Sequence, residues 1–343
     1  MFGRSSKPVK VRLFAKSDVG KTREHNEDCF LVADLTRKDA SLDSAVREHD
    51  LGERGTLLVV ADGMGGAAAG EVASQMATDS IYRHLEQMWV TEKEPTPQRF
   101  AYRLKEAIEV ANTRIHVYAK EHPDVRGMGT TTTAAGVFGD HVYLTQVGDS
   151  RAYLVRAGTA IQLTKDQSLM QRLVEAGELT EEEAAKSERR NIILQALGPD
   201  PKIKVDLTHQ ELRRGDTLVL CSDGLSGQVK KEEIGQIATE ETDLEKICDR
   251  LITLANARGG PDNITVVVAR FEGDGLRNSG EAEAVGHQVF PLIDTETSTE
   301  PVPVYKGSRP PLPAREARWR RIAGIVTLAV LILAAAWLFA RSR

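Results

Sequence analysis

The chain has 343 residues, of which 41% are hydrophobic and 28% charged, so it can form one large globular domain or two ordinary ones. Its formal net charge of −5 argues against a nucleic-acid-binding protein, which would present a basic face. Three cysteines, Cys29, Cys221 and Cys248, are an odd number without a CxxC spacing, which argues against a disulfide framework and indicates a reducing compartment. We expect Cys221 and Cys248 to be buried as small apolar side chains.

The first part of the chain has no targeting segment and contains one long charged stretch. Residues 1–18 are partly basic but include no continuous apolar run, so we predict no signal peptide. Residues 36–54 are charged and longer than a hairpin loop should be. We interpret them as a solvated insertion between two strands, with a surface for a partner protein as the alternative.

Three segments have the spacing of one-faced helices. Apolar residues recur at helical intervals in residues 71–88, after Thr96-Pro97, and in residues 244–255. Thr96 is suited to the N-cap of the second helix and Pro97 to its first turn. Gly259-Gly260 is suited to ending the third helix.

Residues 130–163 have the alternation of short strands instead. They read as a meander whose turns are Gly139-Asp140 and Gly148-Asp149. Together with the long helices, these antiparallel strands predict an α+β sandwich in which helices cover strand sheets.

The C-terminal residues divide into a linker and a membrane span. Residues 273–318 have no periodicity and contain the proline-rich stretch PVPVYKGSRPPLP, so we predict a flexible linker after a domain formed by residues 9–272. Ile322 to Ala340 is a run of about 19 uncharged residues, long enough to cross a bilayer. We therefore predict a transmembrane helix with a short tail over residues 319–343, and a buried core helix is the alternative.

The flanks of this span predict its orientation. Trp319 and Trp337 lie near its two ends, as interfacial anchors do. The larger basic cluster precedes the span, and it consists of Arg315, Arg318, Arg320 and Arg321. The positive-inside rule then predicts a single-pass protein with its main domain in the cytoplasm, although Arg341 and Arg343 reduce the asymmetry.

Four aspartates each lie where an apolar, strand-like run meets a turn. They are Asp62, Asp149, Asp223 and Asp262, and each has Gly, Ser or Asn beside it. Each of them alone fits an ordinary turn. If the four converge, their carboxylates repel strongly unless hard divalent cations such as Mg²⁺ or Mn²⁺ lie between them. The pattern therefore indicates a metal-dependent enzyme acting on phosphate.

Six short motifs, in order along residues 10–272, give this pattern a known counterpart. They are Arg23-x-x-Asn26-Glu27-Asp28, Asp62-Gly63-Met64-Gly65-Gly66, Gly129-Thr130-Thr131, Val147-Gly148-Asp149-Ser150-Arg151, Ser222-Asp223-Gly224 and Asp262-Asn263. With them the chain resembles the metal-dependent PPM family of protein phosphatases, also called the 2C type. The methionine in DGMGG and the segment TKDQSLMQRLVEAGELTEEEA resemble bacterial members, some of which carry a transmembrane span after the phosphatase domain.

The resemblance implies a four-layer α-β-β-α sandwich with two central antiparallel sheets, and it implies a role for each matching residue. Asp62 would bridge two tightly bound Mn²⁺ or Mg²⁺ ions, and the Gly63 carbonyl would bind the second of them. Asp223 and Asp262 would complete the first site, and Asp149 with Asp223 would hold a third, looser ion.

Four more residues would act around these ions. Glu27 and Asp28 would act through metal-bound waters, and Asn263 would support the ligands. Arg23 would bind the phosphate, since a guanidinium fork fits two of its oxygens.

The implied reaction is hydrolysis of phosphoserine and phosphothreonine in proteins. Two cations acidify a bridging water, which attacks the phosphorus in line, so no nucleophilic Cys or Ser is expected. The implied partners are phosphorylated proteins and a Ser/Thr kinase that the enzyme opposes in signalling, and we expect a monomeric catalytic domain. Combined with the predicted span, the resemblance places the protein in the inner membrane of a bacterium.

One position departs from the eukaryotic members of the family. Those have a histidine, thought to protonate the leaving group, where this chain has Met64. A water held by the third ion is our interpretation for the replacement, and His25 is the alternative. In the flap-like segment of residues 164–197, Thr180 and Glu183 predict a capping box at a helix start.

Two further functions remain open at this stage. The chain could be a catalytically inactive relative that serves as a binding or sensor module, although none of the predicted ligands is missing. It could also be a phosphatase restricted to one regulatory protein, although such enzymes usually carry a fused sensory domain.

Overall fold

The computed structural model describes residues 8–40, 47–65, 69–280 and 284–292. These residues form two antiparallel sheets, one of six strands and one of five. Sheet 1 has the order β3-β1-β12-β11-β8-β9 and sheet 2 the order β10-β7-β6-β4-β2, with the short β5 paired to one end of β4. The strands are β1 (Lys10–Asp18), β2 (Asp28–Asp34), β3 (Arg47–Asp50), β4 (Thr56–Met64), β5 (Gly129–Thr130), β6 (Thr132–Phe138), β7 (His141–Val147), β8 (Arg151–Arg156), β9 (Thr159–Gln162), β10 (Asp206–Glu211), β11 (Thr217–Cys221) and β12 (Ile264–Glu272).

Helices cover the outer face of each sheet. The α-helices are α1 (Ala69–His84), α2 (Pro97–Glu121), α3 (Leu169–Glu175), α4 (Glu181–Lys186), α5 (Asp223–Ser226), α6 (Lys231–Glu240) and α7 (Leu244–Ala257). A π-helical turn (Leu85–Trp89) extends α1, and a 3-10 turn (Pro123–Val125) follows α2. The predicted caps form, since the Thr96 side chain accepts from the Arg99 N–H and Thr180 forms a capping box with Glu183.

Strand β4 shows how one apolar run contributes to two cores. Leu57 and Val59 pack with residues of α1 and α2, whereas Leu58 and Val60 pack into the core between the two sheets. Successive side chains of a strand point to opposite faces, so a strand buried on both faces is apolar throughout. A third core lies between sheet 1 and helices α5 to α7. The four layers follow from these three cores, and the α+β fold with two antiparallel sheets is as predicted.

The predicted meander is wrong at its second turn. Strands β6 and β7 lie in sheet 2, but β8 and β9 lie in sheet 1. The chain therefore crosses from one sheet to the other at Gly148–Ser150 instead of forming a hairpin there. The sequence pattern could not show this, because strands in either sheet have the same alternation.

The charged insertion contributes a strand to the fold. Residues 47–50 form β3, which pairs with β1 as an edge strand of sheet 1, and the His49 ring lies 2.7 Å from the Thr56 hydroxyl. Residues 41–46 lie outside the described part of the chain. The insertion is thus partly structural, which the solvated interpretation did not anticipate.

Residues 284–292, predicted as part of a linker, lie along the edge strand β10. The His209 N–H donates to the Gln288 carbonyl at 2.9 Å, and the Phe290 N–H donates to the Leu207 carbonyl at 3.0 Å. Phe290 and Leu292 pack against the core under α1 and α2. In this way the segment covers backbone groups that an edge strand otherwise leaves unpaired.

The predicted membrane span, with the rest of residues 293–343, lies outside the described residues. Within residues 8–40, 47–65, 69–280 and 284–292, no helix is both long and apolar enough to cross a membrane.

Candidate active site

A pocket of about 540 Å³ lies at one end of the sandwich, where strands of both sheets terminate. It brings together eight of the nine site residues that the sequence analysis selected, and the ninth, Asp28, is hydrogen-bonded to Ser222, next to the pocket residue Asp223. Its lining consists of Arg23, Glu24, His25, Glu27, Asp62, Gly63, Met64, Gly65, Thr131, Asp149, Asn191, Ile193, Asp223, Asp262 and Asn263.

The two sheets deliver different carboxylates to this pocket. Asp62 lies near the end of β4 in sheet 2, directly opposite Asp28 of β2. Asp223 follows β11 and Asp262 precedes β12, both in sheet 1. Asp149 lies in the crossing between the sheets. The four aspartates therefore converge from distant parts of the sequence.

The backbone around Asp62 is tightly fixed. The Thr131 N–H donates to the Asp62 carbonyl at 2.8 Å, and the Thr131 hydroxyl lies 2.7 Å from that of Ser150. A Cβ on Gly63 would lie 2.2 Å from the Gly70 carbonyl oxygen, so no other residue fits at that position. The first turn of α1 thus packs directly against the strand end that carries the predicted ligands.

Asp28 is held from sheet 1. Its Oδ2 accepts hydrogen bonds from the hydroxyls of Ser222 and Thr265, both at 2.7 Å. Its Oδ1 is buried and has no hydrogen-bond partner among the described residues. Burial raises the pKa of Asp28 to about 7, and the two hydroxyl hydrogen bonds oppose that shift.

Burial and mutual repulsion disfavour the ionised forms of Asp62, Asp149 and Asp223, so each of these carboxyl groups has a raised pKa. Burial raises the pKa of Asp62 well above its ordinary value, and the charges of Asp28 and Asp223 raise it further. Burial raises the pKa of Asp149 to about 8, and the Asp223 charge adds to the shift. For Asp223 burial is again the largest cause, followed by the charge of Asp262. The site favours any positive charge that enters it.

Arg23 occupies the mouth of the pocket and is paired with a predicted metal ligand. Its Nη2 donates to Asp262 Oδ2 at 2.8 Å, while about half of the arginine side chain, 51%, stays exposed. The hydrogen bond to Asp262 raises the pKa of Arg23. Arg23 and Asp262 come from ends of the domain that are far apart in sequence, so only the fold brings them together.

Asn263 fixes the loop that carries Arg23. Its Nδ2 donates to the carbonyls of Val19 and His25, at 3.0 and 2.9 Å, and its Oδ1 accepts from the Glu27 N–H at 2.8 Å. One buried amide thereby orders both ends of the loop. The sequence analysis predicted only that Asn263 supports the ligands, and the structure adds these hydrogen bonds to the loop of Arg23.

The donor set fits hard divalent cations. The site offers carboxylate oxygens and a backbone carbonyl, the ligands that Mg²⁺ and Mn²⁺ prefer. Buried oxygens of Asp28 and Asp223 lack hydrogen-bond partners in the described chain, as ligands or their neighbours do before a cation and its waters fill the site. Over the same described ranges, no three His, Cys, Asp or Glu side chains already lie in a metal-holding arrangement.

Several residues of the site were not selected from the sequence. Ser222 and Thr265 orient Asp28, and Asn191 and Ile193 of the flap line the pocket. Ser222 lies within a selected motif, but its bond to Asp28 spans 194 residues, which no local pattern reveals. Met64 and His25 both line the pocket as well, so neither position is remote from the chemistry.

Comparison with known proteins decides the family. The sequence profile described as protein phosphatase 2C matches residues 33–265, which is more than half of the chain. The chain belongs to the protein phosphatase 2C family. Among curated members, it is 38% identical over 254 residues to the serine/threonine phosphatase stp of Listeria welshimeri, covering 74% of this chain and 93% of that protein. It is 42% identical over 259 residues to the serine/threonine protein phosphatase PstP of Mycobacterium tuberculosis, of which it covers 45%.

Solved 2C phosphatase structures have the same fold. The crystal structure of M. tuberculosis PstP covers 77% of this chain and 99% of its own, with 38% identity and a TM-score of 0.64. A second structure, of the PstP catalytic domain in complex with two manganese ions, covers the same shares with a TM-score of 0.62. The predicted membership of the bacterial type of this family, and its serine/threonine phosphatase activity, are confirmed.

Proposed function

We propose that this 2C phosphatase hydrolyses phosphoserine and phosphothreonine in proteins with a two-metal centre in the described pocket. One observation carries the proposal: four carboxylates from both sheets face a single pocket whose mouth holds the partly exposed guanidinium of Arg23. Carboxylates arranged in this way serve cations, and a cation cluster beside an arginine suits a phosphate group.

The cations we propose are Mn²⁺ or Mg²⁺. Asp62 and the Gly63 carbonyl, with Asp223 and Asp262, would hold two ions, and Asp149 with Asp223 would hold a third more loosely. When bound, the ions supply positive charge for the phosphate oxygens and an acidified water for in-line attack on phosphorus. The two manganese ions of the PstP structure support this assignment.

The residues of the chain position the substrate around this centre. Arg23 would exchange its bond to Asp262 for two phosphate oxygens, which its planar fork matches. Asn263 keeps the Arg23 loop in place, and Ser222 with Thr265 keeps the Asp28 carboxylate from rotating. Cys221 and Cys248 are fully buried and unpaired, so neither serves as a nucleophile.

Met64 cannot protonate the leaving serine or threonine oxygen, because a thioether carries no acidic proton. The proton must therefore come from another group. His25 lines the pocket and is a candidate donor from the chain itself. Replacing His25 with Gln tests this role: a donor would show as a rate loss that grows with the basicity of the leaving group.

We also propose that the enzyme opposes a Ser/Thr kinase and that the predicted transmembrane helix of residues 319–343 tethers it to the inner membrane, with the phosphatase domain in the cytoplasm. The uncharged run from Ile322 to Ala340 and the arginines before it support the tether. A protease added outside intact spheroplasts should leave the domain uncut, and digestion of the domain would overturn this orientation.

Phosphate release from a phosphothreonine peptide by the full chain tests the proposed function. We expect release with Mn²⁺ or Mg²⁺, none with EDTA, and none from the Asp223→Asn variant. A folded protein that binds Mn²⁺ but releases no phosphate from any phosphopeptide or phosphorylated kinase would instead support an inactive binding module.

A further inference from the structure

A pair of hydroxyl groups on neighbouring strands of sheet 1 lies beside the buried Asp28 carboxylate. Ser17, near the end of β1, and Thr265 of β12 stand opposite each other in the strand register, and their hydroxyl oxygens are 2.7 Å apart. The Thr265 hydroxyl also donates to Asp28 Oδ2 at 2.7 Å. Ser17 therefore reaches a carboxylate of sheet 2 through one intervening hydroxyl, although it does not itself line the active-site pocket.

Asn26 connects the other side of this hydroxyl pair back to Asp28. Its Nδ2 donates to the Ser17 hydroxyl oxygen at 2.8 Å, and its Oδ1 accepts from the Asp28 N–H at 3.1 Å. Because only the amide oxygen can accept from an N–H, the second bond fixes which way the Asn26 amide points. The side chains of Asn26, Ser17 and Thr265 thus form a closed set of hydrogen bonds, which begins at the backbone of Asp28 and ends at its carboxylate.

The direction of each hydrogen bond follows from the carboxylate. An ionised Asp28 can only accept, so the single hydroxyl proton of Thr265 is used toward Asp28 Oδ2. The Ser17 hydroxyl must then donate to the Thr265 oxygen, and the Ser17 oxygen accepts from Asn26. All three side chains donate in the direction of Asp28, and hydrogen bonds aligned in this way strengthen one another.

These bonds determine which oxygen of Asp28 is left for the metal centre. Oδ2 accepts from both Ser222 and Thr265, whereas Oδ1 is buried and has no hydrogen-bond partner in the described part of the chain. Asp28 stands directly opposite Asp62 in the register of β2 and β4, so the two side chains lie on the same face of sheet 2. The unpartnered oxygen therefore belongs to a carboxylate that is next to the predicted bridging ligand.

We propose that Ser17 is a positioning residue of the metal centre, which acts through Thr265 to keep Asp28 Oδ1 free for the cations and their waters. The proposal rests on the metal-dependent function above and extends it to a residue outside the pocket. By donating to Thr265, Ser17 holds the Thr265 hydroxyl in the orientation that donates to Asp28. Asn26 lies in the loop that carries Arg23, so the same set of bonds also joins that loop to the carboxylate.

The test compares valine with threonine at position 17, because the two side chains have nearly the same shape and only threonine has a hydroxyl. Calorimetric titration of the metal-free full chain with Mn²⁺, without substrate, should show that Ser17→Val loses affinity severalfold while Ser17→Thr binds as wild type does. Thr265→Val removes a direct bond to Asp28 and should lose on the order of tenfold, as for other residues that support metal ligands. Thr265→Ser keeps the hydroxyl and should restore most of that loss.

Ser80→Ala is the matched control for a purely structural effect. Like the Ser17 hydroxyl, the Ser80 hydroxyl donates one hydrogen bond and accepts another, here to the Met76 carbonyl and from Arg114 in the layer of α1 and α2. Its loss should lower the melting temperature of the metal-free protein and leave the affinity for Mn²⁺ unchanged. Ser17→Ala, the equivalent truncation, should lower both.

Equal Mn²⁺ affinities for folded Ser17→Val and Ser17→Thr proteins would overturn the proposal, and so would a loss of affinity that Ser80→Ala shares. Far-ultraviolet circular dichroism establishes that each variant is folded, and the contrast between Ser17→Ala and Ser17→Thr serves if the valine variant is not. A wild-type chain that binds no Mn²⁺ would instead contradict the proposed two-metal function. None of these measurements needs phosphate release, so a failure of hydrolysis would be seen separately.

Discussion

Arg23 and Asp262 form an ion pair of 2.8 Å across the mouth of the active-site pocket. One is predicted to bind phosphate and the other to bind a cation, so the pair joins the two functions of the site. Without a bound cation or phosphate, the positive charge of Arg23 and the negative charge of Asp262 balance each other. Binding of a cation to Asp262 would release the guanidinium for the phosphate, and the first prediction concerns that phosphate contact.

Arg23→Lys should lower kcat/KM by on the order of a hundredfold, because an ammonium cannot form the bidentate contact of a guanidinium. Arg83→Lys, an exposed arginine paired with Asp79 on α1, is the control and should retain activity. Steady-state rates on a phosphothreonine peptide with saturating Mn²⁺ distinguish the two. Equal rates for Arg23→Lys and wild type would remove Arg23 from the phosphate site.

Asn263→Ala should reduce the free energy of unfolding by about 2–3 kcal/mol, since three partly buried hydrogen bonds to the Val19–Glu27 loop are lost. Urea unfolding followed by tryptophan fluorescence measures this. Asn191→Ala, at an exposed position on the flap, should change the unfolding free energy by less than about 0.5 kcal/mol. A similar, small effect of both substitutions would show that the loop is held by other contacts.

Phe290→Ala should destabilise the domain by about 1–3 kcal/mol. The ring is partly buried and makes edge contacts with Tyr143 and His209 at centroid distances of 5.3 and 5.0 Å. Val289→Ala is the matched control, since Val289 is 69% exposed. Thermal unfolding should therefore shift for the phenylalanine variant alone, and equal shifts would mean that residues 284–292 do not dock in solution.

Glu211 should contribute to stability at neutral pH and cease to do so in acid. Its hydrogen bond from Arg213 lowers its pKa to about 2, with a further hydrogen bond from Arg277 in the same direction. A lowered folded-state pKa means that the contribution is complete above the unfolded-state value of about 4.5 and is lost as the pH falls toward 2.

The variant Glu211→Gln isolates this contribution from the other carboxylates. The difference in unfolding free energy between wild type and variant should shrink steadily between pH 5 and about pH 2, as denaturant titrations at several pH values would show. A difference that stays constant over this range would contradict the assignment of the shift to Glu211.

The sequence was sufficient for the features that local patterns encode. Residues 71–88, the Thr96 cap and the apolar run of β4 each follow from spacing within one element. It was not sufficient for relationships between elements. The chain crosses between the sheets at Gly148, and Ser222 donates a hydrogen bond to Asp28. Both features depend on which strands are neighbours, and the alternation of side chains along a strand does not specify its neighbours.

The same limit explains the treatment of residues after 272. Val289 and Phe290 stand in the stretch AVGHQVFPL, whose apolar residues follow neither the alternation of a strand nor the spacing of a helix. They pair with β10 because that edge offers free backbone groups beside an aromatic cluster, which is a property of the folded domain. The four active-site aspartates, by contrast, could be selected from the sequence because each stands where an apolar, strand-like run meets a turn.

The location of the pocket at the junction of the sheets has a mechanical consequence. Asp62 belongs to sheet 2 and Asp223 and Asp262 to sheet 1, so the spacing of the carboxylates reports how the sheets are aligned. Leu154→Ala, for example, would make a cavity in the core between the sheets, a cluster of apolar residues that includes none of the predicted metal ligands. If the sheets slide to fill it, the affinity for Mn²⁺ changes without any alteration of the site itself. The affinity for Mn²⁺ would then report on the packing between the two sheets.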